Sequence, residues 1–154
     1  MSTLEGKTLV MLVSPSAMGK STIVRETTRL DPQFHRVRGF TTREPRPDDT
    51  PDQFFYLSPD ELETKRNLGE VVTELKFSND GPTYGTLTSS FTGAYCLLET
   101  LAHSVDDYRS LDFNRTVTIA ITSPAALWRE RFKERYPIKD RDVTRRLREA
   151  RSSI

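Results

Sequence analysis

The chain has 154 residues, which is enough for one domain that buries about two-thirds of the surface exposed by its unfolded form. Hydrophobic residues make up 35% of it and charged residues 29%, a balance typical of soluble globular proteins, and no apolar run approaches the roughly 18 residues that span a bilayer. The formal net charge is +1, so no global field attracts nucleic acid. We therefore expect no nucleic-acid and no membrane partner, and the sequence leaves the oligomeric state open.

The amino-terminal segment and the cysteine content bear on location. Residues 1–7 lack the charged start, apolar stretch and small-residue cleavage site of a signal peptide, which makes the cytoplasm the expected location. Cys96 is the only cysteine, so a disulfide within the chain is excluded. It lies in an apolar segment, where a free cysteine usually serves as a small buried side chain.

The first predicted unit is a strand followed by a helix. Residues 8–13 form an apolar run that predicts a buried strand, and residues 20–30 predict a helix that ends at Asp31, because the following proline disfavours helix in the residue before it. The segment between them, together with the first residues of the helix, has the layout of a phosphate-binding P-loop. The residues of this motif are Ser14, Pro15, Ser16, Ala17, Met18, Gly19, Lys20, Ser21 and Thr22.

This P-loop pattern predicts a site for a nucleoside triphosphate. The turn directs backbone N–H groups at one centre, Lys20 reaches the β- and γ-phosphates, and Ser21 presents a hydroxyl to Mg²⁺. The motif departs from its usual form at Ser14, which stands in place of the first glycine. The alternative is an ordinary turn in which Gly19 only relieves backbone strain and Lys20 is solvated.

A polar loop and a small group of predicted elements come next. Residues 43–52 are too rich in proline and aspartate for a helix or strand. Residues 53–57 are prone to form a strand. A helix is predicted to start at Ser58, where a capping box is present, and to end near Gly69. Two further strands, residues 71–77 and 83–86, are predicted to form a hairpin across the Asp-Gly turn.

The rest of the chain predicts two more strands, each followed by a helical pattern. Residues 94–98 form a buried strand that ends at Glu99, and residues 116–122 form another. A helix begins at Ser123-Pro124 and runs to Arg135, with Trp128 and Phe132 expected to pack on the core; a basic helix over 142–151 follows. Alternating strands and helices favour a parallel α/β sheet, whose ligands bind beyond the carboxyl ends of its strands.

The order of these features resembles the guanylate kinase family over most of the chain. The similarity rests on the P-loop, on Thr41-Thr42-Arg43-Glu44-Pro45-Arg46, on Tyr84-Gly85-Thr86 and on Glu99 at the end of a buried strand. The resemblance implies a single kinase domain of P-loop NTPase type, a three-layer α/β fold with a parallel core sheet. Its core would cover about 1–38 and 87–154, its β-rich acceptor-binding insert about 39–86, and its helical lid about 133–147.

The resemblance also implies an activity, the ATP-dependent and Mg²⁺-dependent phosphorylation of a nucleoside monophosphate, most often GMP or dGMP. The donor would be bound by the P-loop, and Mg²⁺ by Ser21 and Glu99. The acceptor phosphate would be clamped by arginines and a tyrosine, the base would be read by Glu74 and Thr86, and lid arginines would close over the transferred group. The residues with implied catalytic roles are Lys20, Arg43, Arg135 and Arg146, with Arg131 as a further candidate, and those with implied substrate-binding roles are Arg43, Arg46, Glu74, Tyr84 and Thr86.

Each of these side chains also has a plainer interpretation. Arg43 and Arg46 could belong to a solvated loop, Glu74 could be an exposed strand residue, and Glu99 could be an acid that only stabilises a helix start. Phosphoryl transfer between two polyanions nevertheless needs the charge neutralisation that this set of residues supplies.

Several positions depart from the family pattern and leave alternatives open. Leu101 replaces a second acid, Gly39 a serine and Phe54 a tyrosine, so polar contacts to the acceptor are lost. The acceptor could then be another phosphorylated compound, such as ribose 1,5-bisphosphate, or the chain could be a non-catalytic phosphoprotein-binding module of the same fold. The family continues past the position of Ile154 through another strand and helix, so the chain is either a fragment or has a reduced donor site.

Overall fold

The computed structural model describes residues 4–47, 49–76 and 78–135 of the chain. Arg146, the predicted helix over 142–151 and most of the predicted lid lie outside these residues. The strands are β1 (Thr8–Val13), β2 (Phe34–Arg36), β3 (Gly39–Thr41), β4 (Phe54–Tyr56), β5 (Val71–Lys76), β6 (Thr83–Leu87), β7 (Tyr95–Thr100) and β8 (Arg115–Ala120). The α-helices are α1 (Lys20–Leu30), α2 (Pro59–Asn67), α3 (Val105–Arg109) and α4 (Ala125–Arg135).

The core sheet is parallel, with strand order β2-β7-β1-β8. Its central strand β1 is apolar and almost wholly buried, as expected of a strand covered on both faces. In the β1–β7 register Leu12 lies opposite Glu99 and Val13 opposite Thr100, so the P-loop and the Glu99 carboxylate meet at the same edge. The predicted α/β fold with a parallel core sheet is confirmed, and it places ligands at this edge.

The second sheet is mixed, with strand order β4-β3-β6-β5. β3 runs parallel to β4 and antiparallel to β6, and β5 and β6 form the predicted hairpin. α2 covers one face of this sheet, where Leu62 packs in a buried cluster with Phe40 and Leu87. The helix starts at Ser58 with the predicted capping box, so its position follows from local sequence.

Two of the short strands, β2 and β3, have no counterpart among the sequence predictions. They have three residues each, as does β4, too few for a period-two pattern to stand out. β2 pairs with β7 and is the outermost strand of the core sheet, whereas β3 pairs with β4 and β6 in the second sheet. The chain therefore passes from one sheet to the other between Arg36 and Gly39. This passage aims the loop that follows β3 at the P-loop.

Most of the remaining elements agree with the sequence predictions. The segment from Thr88 to Ser90 is a short 3₁₀ turn, as its poor helix-forming composition suggests. Cys96 is fully buried. Among the described residues, no helix is long and apolar enough to span a bilayer.

Candidate phosphoryl-transfer site

A cavity of about 350 Å³ lies between the two sheets. The P-loop and the end of β7 line one side of it, and the loop after β3 lines the other together with β5 and β6. The residues that the sequence assigned to the donor and to the acceptor therefore face each other across one space.

The P-loop has the backbone geometry that phosphate binding needs. Gly19 precedes α1 with φ +89°, a left-handed conformation that glycine adopts without strain. Ala17 also has a positive φ, +65°, which is uncommon for a residue with a Cβ atom and is concentrated at functional turns. The loop therefore carries backbone strain where α1 presents its unpaired N–H groups.

Lys20 folds back over the P-loop. Its ammonium donates to the Ser14 carbonyl oxygen, to the Ser14 hydroxyl at 3.1 Å and to the Pro15 carbonyl oxygen at 3.2 Å. Ser14, which replaces the usual glycine, is buried and so adds one oxygen to the lysine's contacts. Burial lowers the pKa of Lys20 to about 8, partly offset by the Glu99 carboxylate, which raises it.

Ser21 and Glu99 form a small oxygen site beside Lys20. The Ser21 hydroxyl donates to Glu99 Oε2 at 2.8 Å, and Arg36 donates from its NH2 group to Glu99 Oε1 at 2.5 Å. Arg36 also reaches Asp52 at 3.1 Å, which links β7 to the loop before β4. A hydroxyl and a carboxylate are the hard oxygen ligands that Mg²⁺ prefers, so these two side chains fit the ion.

Mg²⁺ at this point would be bound largely by phosphates and water. The described part of the chain contains no group of three or more His, Cys, Asp and Glu side chains arranged to hold a metal. Mg²⁺ commonly binds with one or two protein oxygens and substrate phosphates, and the pair formed by Ser21 and Glu99 is consistent with that mode.

On the opposite side, Arg43 is fixed by a buried ion pair. Its NH1 and NH2 groups donate to the two carboxylate oxygens of Asp49 at 2.7 and 2.6 Å, and side chains of both residues are about nine-tenths buried. Asp49 also accepts from the Arg46 backbone N–H at 2.7 Å and from the Tyr56 hydroxyl at 2.5 Å. These contacts, the Arg43 hydrogen bonds first, hold the pKa of Asp49 well below its usual range.

Gly39 packs closely against the ring of Phe54. A Cβ atom on Gly39 would lie 3.3 Å from two carbons of the Phe54 ring and 3.2 Å from the Gly85 carbonyl oxygen, which is tighter than ordinary contact. The Phe54 ring also lies edge-on to Tyr84, with ring centroids 6.1 Å apart. Neither Gly39 nor Phe54 carries a hydroxyl, so the contacts at these two positions are apolar.

Three hydroxyls meet where β5, β6 and α3 line the cavity. Thr73 Oγ1 lies 2.8 Å from Thr86 Oγ1 and donates to the Tyr108 hydroxyl at 2.8 Å. The Tyr108 hydroxyl donates to Thr86 Oγ1 at 3.4 Å. Thr73 and Thr86 lie opposite each other in the hairpin. Their side chains therefore share the face of the hairpin that contacts Tyr108.

Glu74 is occupied by a different partner. Its carboxylate oxygens accept from Arg66 of α2 at 2.5 and 2.9 Å, and the bonds to Arg66 lower its pKa. Successive strand side chains point to opposite faces, so Glu74 and Thr73 diverge. Glu74 and Thr86 both line the main cavity, but the Glu74 carboxylate is bound by Arg66, whereas Thr86 Oγ1 contacts Thr73.

The helix α4 contacts the P-loop from outside. The Trp128 indole N–H donates to the Ser16 carbonyl oxygen at 3.0 Å, and the Trp128 and Phe132 rings are 5.3 Å apart. A second, more open cavity of about 470 Å³ lies between α4 and the start of α1, with Arg131 and Arg135 on its wall. Arg135 is close enough to Lys20 to contribute to lowering its pKa.

Comparison with known proteins gives a consistent result. A guanylate kinase from Synechococcus elongatus is 30% identical over 153 residues, covering 95% of this chain and 82% of the relative. The chain belongs to the guanylate kinase family. A guanylate kinase from Rhodopirellula baltica is 37% identical over 98 residues, covering 59% of this chain, but the match spans only about half of that relative, 47%.

Membership in the guanylate kinase family also agrees with the fold. The crystal structure of guanylate kinase from Anaplasma phagocytophilum has a TM-score of 0.59 and 18% sequence identity, with 98% of this chain and 88% of that chain covered. No protein-family model matches the chain.

For this member of the guanylate kinase family, the structure places most of the predicted site residues around the main cavity. The exceptions are Ser14, which is buried and contacts Lys20, Arg131, which lines the second cavity, and Arg146, which lies outside the described residues. The residues that line the main cavity are Pro15 through Thr22, Arg43, Arg46, Glu74, Tyr84, Thr86, Glu99 and Arg135. Their individual roles remain predictions.

Sequence reasoning missed the partners that hold these residues. The sequence places Asp49 only in a polar loop and Tyr56 only in a predicted strand, and it assigns no role to Arg36. A local signal existed for Asp49, because an acid six residues from an arginine in a proline-rich turn can fold back onto it. The contact of Arg36 with Glu99 spans 63 residues and had no local signal.

Proposed function

We propose that this chain transfers the γ-phosphoryl group of ATP to GMP or dGMP, in the presence of Mg²⁺. The observation that carries the proposal is the arrangement of two phosphate-binding groups, Lys20 with Ser21 and Arg43 with Arg46, on opposite sides of one cavity. The family relationship supports the reaction class. A cytoplasmic location and a nucleotide substrate follow from the same proposal.

The donor side uses the P-loop. Backbone N–H groups at the start of α1 bind the phosphates, and the Lys20 ammonium leaves the Ser14 and Pro15 carbonyl oxygens to contact the β- and γ-phosphates. Ser21 and Glu99 would hold Mg²⁺, which would neutralise charge on the phosphates. Arg135 lies on the same side, and it would stabilise the charge of the transferred group together with Arg146.

The acceptor side uses the segment 39–86, which we propose as the acceptor-binding insert. Arg43, already oriented by Asp49, offers the planar fork of N–H donors that suits a phosphate. Arg46 and the Tyr84 hydroxyl complete the clamp. Holding acceptor and donor in line removes much of the entropic barrier, which is the main contribution an enzyme makes to phosphoryl transfer.

A second acceptor class is favoured by one observation. The Glu74 carboxylate is held by Arg66, and Gly39 and Phe54 lack hydroxyls, so polar groups expected to recognise guanosine monophosphate are missing or occupied. A phosphorylated sugar such as ribose 1,5-bisphosphate would need only the phosphate clamp. It is therefore the alternative substrate to test.

An assay of ADP formation against a panel of acceptors tests the proposal. GMP and dGMP are expected to be turned over, whereas Lys20→Ala abolishes turnover and Lys76→Ala, a matched change on the exposed end of β5, leaves it intact. Turnover of ribose 1,5-bisphosphate without turnover of GMP would contradict the nucleotide assignment. Absence of ATP binding by calorimetry would contradict a kinase altogether and favour the phosphoprotein-binding module.

A further inference from the structure

The cavity-facing side of the hairpin β5–β6 carries hydroxyls where a carboxylate was expected. Thr73 and Thr86 lie opposite each other and touch through their Oγ1 atoms at 2.8 Å. Glu74, the neighbouring acid, is bound by two nitrogens of Arg66 on α2. Thr73, Glu74 and Thr86 all line the cavity, so an acceptor meets two hydroxyls beside a carboxylate whose negative charge is already paired with Arg66.

The third hydroxyl turns this pair into a closed ring. Thr73 donates to Tyr108, Tyr108 donates to Thr86, and Thr86 closes the ring by donating to Thr73. A hydroxyl has one proton and two lone pairs, so a ring of three uses all three protons and leaves three lone pairs. The ring is therefore an uncharged group whose remaining capacity is to accept hydrogen bonds.

The ring is positioned to contact a ligand. Thr73, Thr86 and Tyr108 all line the cavity, yet Thr86 and Tyr108 are only 2% and 5% exposed. Burial raises the pKa of the Tyr108 phenol, so the phenol stays protonated at neutral pH. Tyr108 is also packed in the main core cluster, which keeps its hydroxyl in a fixed place.

We propose that the hydroxyl ring of Thr73, Thr86 and Tyr108 accepts the N–H groups of the acceptor's base, in the role that the sequence assigned to the Glu74 carboxylate. This inference rests on the proposed function. Hydrogen bonds to neutral acceptors are weaker than those to a carboxylate, so an additional N–H donor on the base contributes little. The chain accordingly uses GMP and IMP, which lacks the 2-amino group of guanine, with kcat/KM values within about tenfold of each other.

Two hydroxyl-removing variants test this proposal, with Glu74→Gln as the variant that tests the competing assignment and a tyrosine variant as the control. Tyr108→Phe and Thr73→Val keep the side-chain shape, and each is expected to raise the KM of GMP and of IMP about tenfold, the effect of losing one hydrogen bond, while the KM of ATP is unchanged. Glu74→Gln is expected to change each KM less than twofold. Tyr95→Phe, which removes a hydroxyl from an exposed strand end, serves as the matched tyrosine control.

The opposite pattern overturns the proposal. A preference for GMP over IMP of more than about a hundredfold that disappears in Glu74→Gln would assign base recognition to the carboxylate. Unchanged nucleotide KM values in both Tyr108→Phe and Thr73→Val would also contradict it. Thermal unfolding of each variant shows whether it still folds. If a variant does not fold, the affinities of the wild type and of Glu74→Gln for GMP and for IMP, measured by calorimetry, decide between the ring and the carboxylate.

Failure of the proposed function can be distinguished from failure of the hydroxyl-ring proposal. If the wild type turns over no nucleoside monophosphate, the kinase assignment is wrong, whereas the ring is still judged by binding of GMP and IMP. Equal binding of the two that is weakened by Tyr108→Phe supports the ring, and binding of neither contradicts it.

Discussion

The two sides of the cavity are built in different ways. On the donor side, the phosphate-binding groups come from one continuous segment, the P-loop and the first turn of α1, and their geometry follows from a strand, a turn and a helix in sequence. On the acceptor side, Arg43 is oriented by Asp49 and Tyr56, and the hydroxyl ring unites β5, β6 and α3. The donor side is thus a local backbone structure, whereas the acceptor side depends on side-chain pairs.

This difference predicts that single substitutions separate the two sides. A change on the donor side should alter the KM and the transfer rate for ATP and leave acceptor binding intact. A change on the acceptor side should do the reverse, because the two sets of residues share few direct contacts. The exception is Arg36, which bonds both to Glu99 and to Asp52.

The largest effect is expected for Lys20→Ala. Removal of the only ammonium group in the P-loop deprives the transferred group of a fixed charge, which we expect to lower kcat by about a thousandfold or more. Acceptor binding, measured by calorimetry, should stay within twofold. A loss of acceptor affinity equal to the loss of rate would show that the two sides are not separable.

The next effect is expected for Arg43→Lys. Lysine keeps the charge but cannot form the paired hydrogen bonds of a guanidinium group with Asp49 and with a phosphate. The acceptor KM should rise about a hundredfold, equivalent to about 3 kcal/mol, while the KM of ATP is unchanged. Steady-state kinetics measures both, with Arg25→Lys, a change of an exposed arginine on α1, as the control.

The pH dependence of ATP binding should be moderate. The pKa of Lys20 is about 8 rather than 10.5, so below pH 8 the lysine is charged in the free protein and ATP binding takes up no proton. Above pH 8 the free protein loses this proton and must take it up again when ATP binds. The affinity for ATP therefore falls about tenfold between pH 8 and pH 9.5. Calorimetry in buffers of different ionisation enthalpy measures the proton uptake, which Lys20→Ala should remove.

The same pKa shift has a consequence for folding that carries the opposite sign. The lowered pKa means that the folded state disfavours the charged lysine, so the free energy of unfolding is lowest below pH 8 and rises as the pH passes from about 8 toward 10.5. This gain is specific to Lys20 and should be absent from Lys20→Ala when the two proteins are compared by chemical denaturation.

The smallest effect is expected for Trp128→Phe. The substitution keeps the contact with Phe132 but removes the hydrogen bond to the Ser16 carbonyl oxygen, which contributes about 1 kcal/mol. We expect the melting temperature to fall by about 2–4 °C and the KM of ATP to rise a few-fold, with the acceptor KM unchanged. A shift in the acceptor KM would indicate that the P-loop is coupled to the second sheet.

Elements with local signals could be predicted from the amino-acid sequence. β1, α1, the capped start of α2 and the β5–β6 hairpin lie within one or two residues of their predicted bounds, because an apolar run, a capping box and an Asp-Gly turn act over a few residues. The P-loop belongs to the same class. The family resemblance extended this prediction to the loop that contains Arg43.

Which side chains contact each other depends on how the elements pack. The pairing of Arg36 with Glu99, of Glu74 with Arg66 and of Thr73 with Tyr108 joins residues 8 to 63 positions apart, and no local pattern specifies such contacts. The strand face contributes to these pairings, since neighbouring side chains of β5 point to opposite faces, Thr73 toward Tyr108 and Glu74 toward Arg66. Local sequence therefore determined the P-loop, whereas the packing of β5, β6, α2 and α3 decided which partners the acceptor-side residues have.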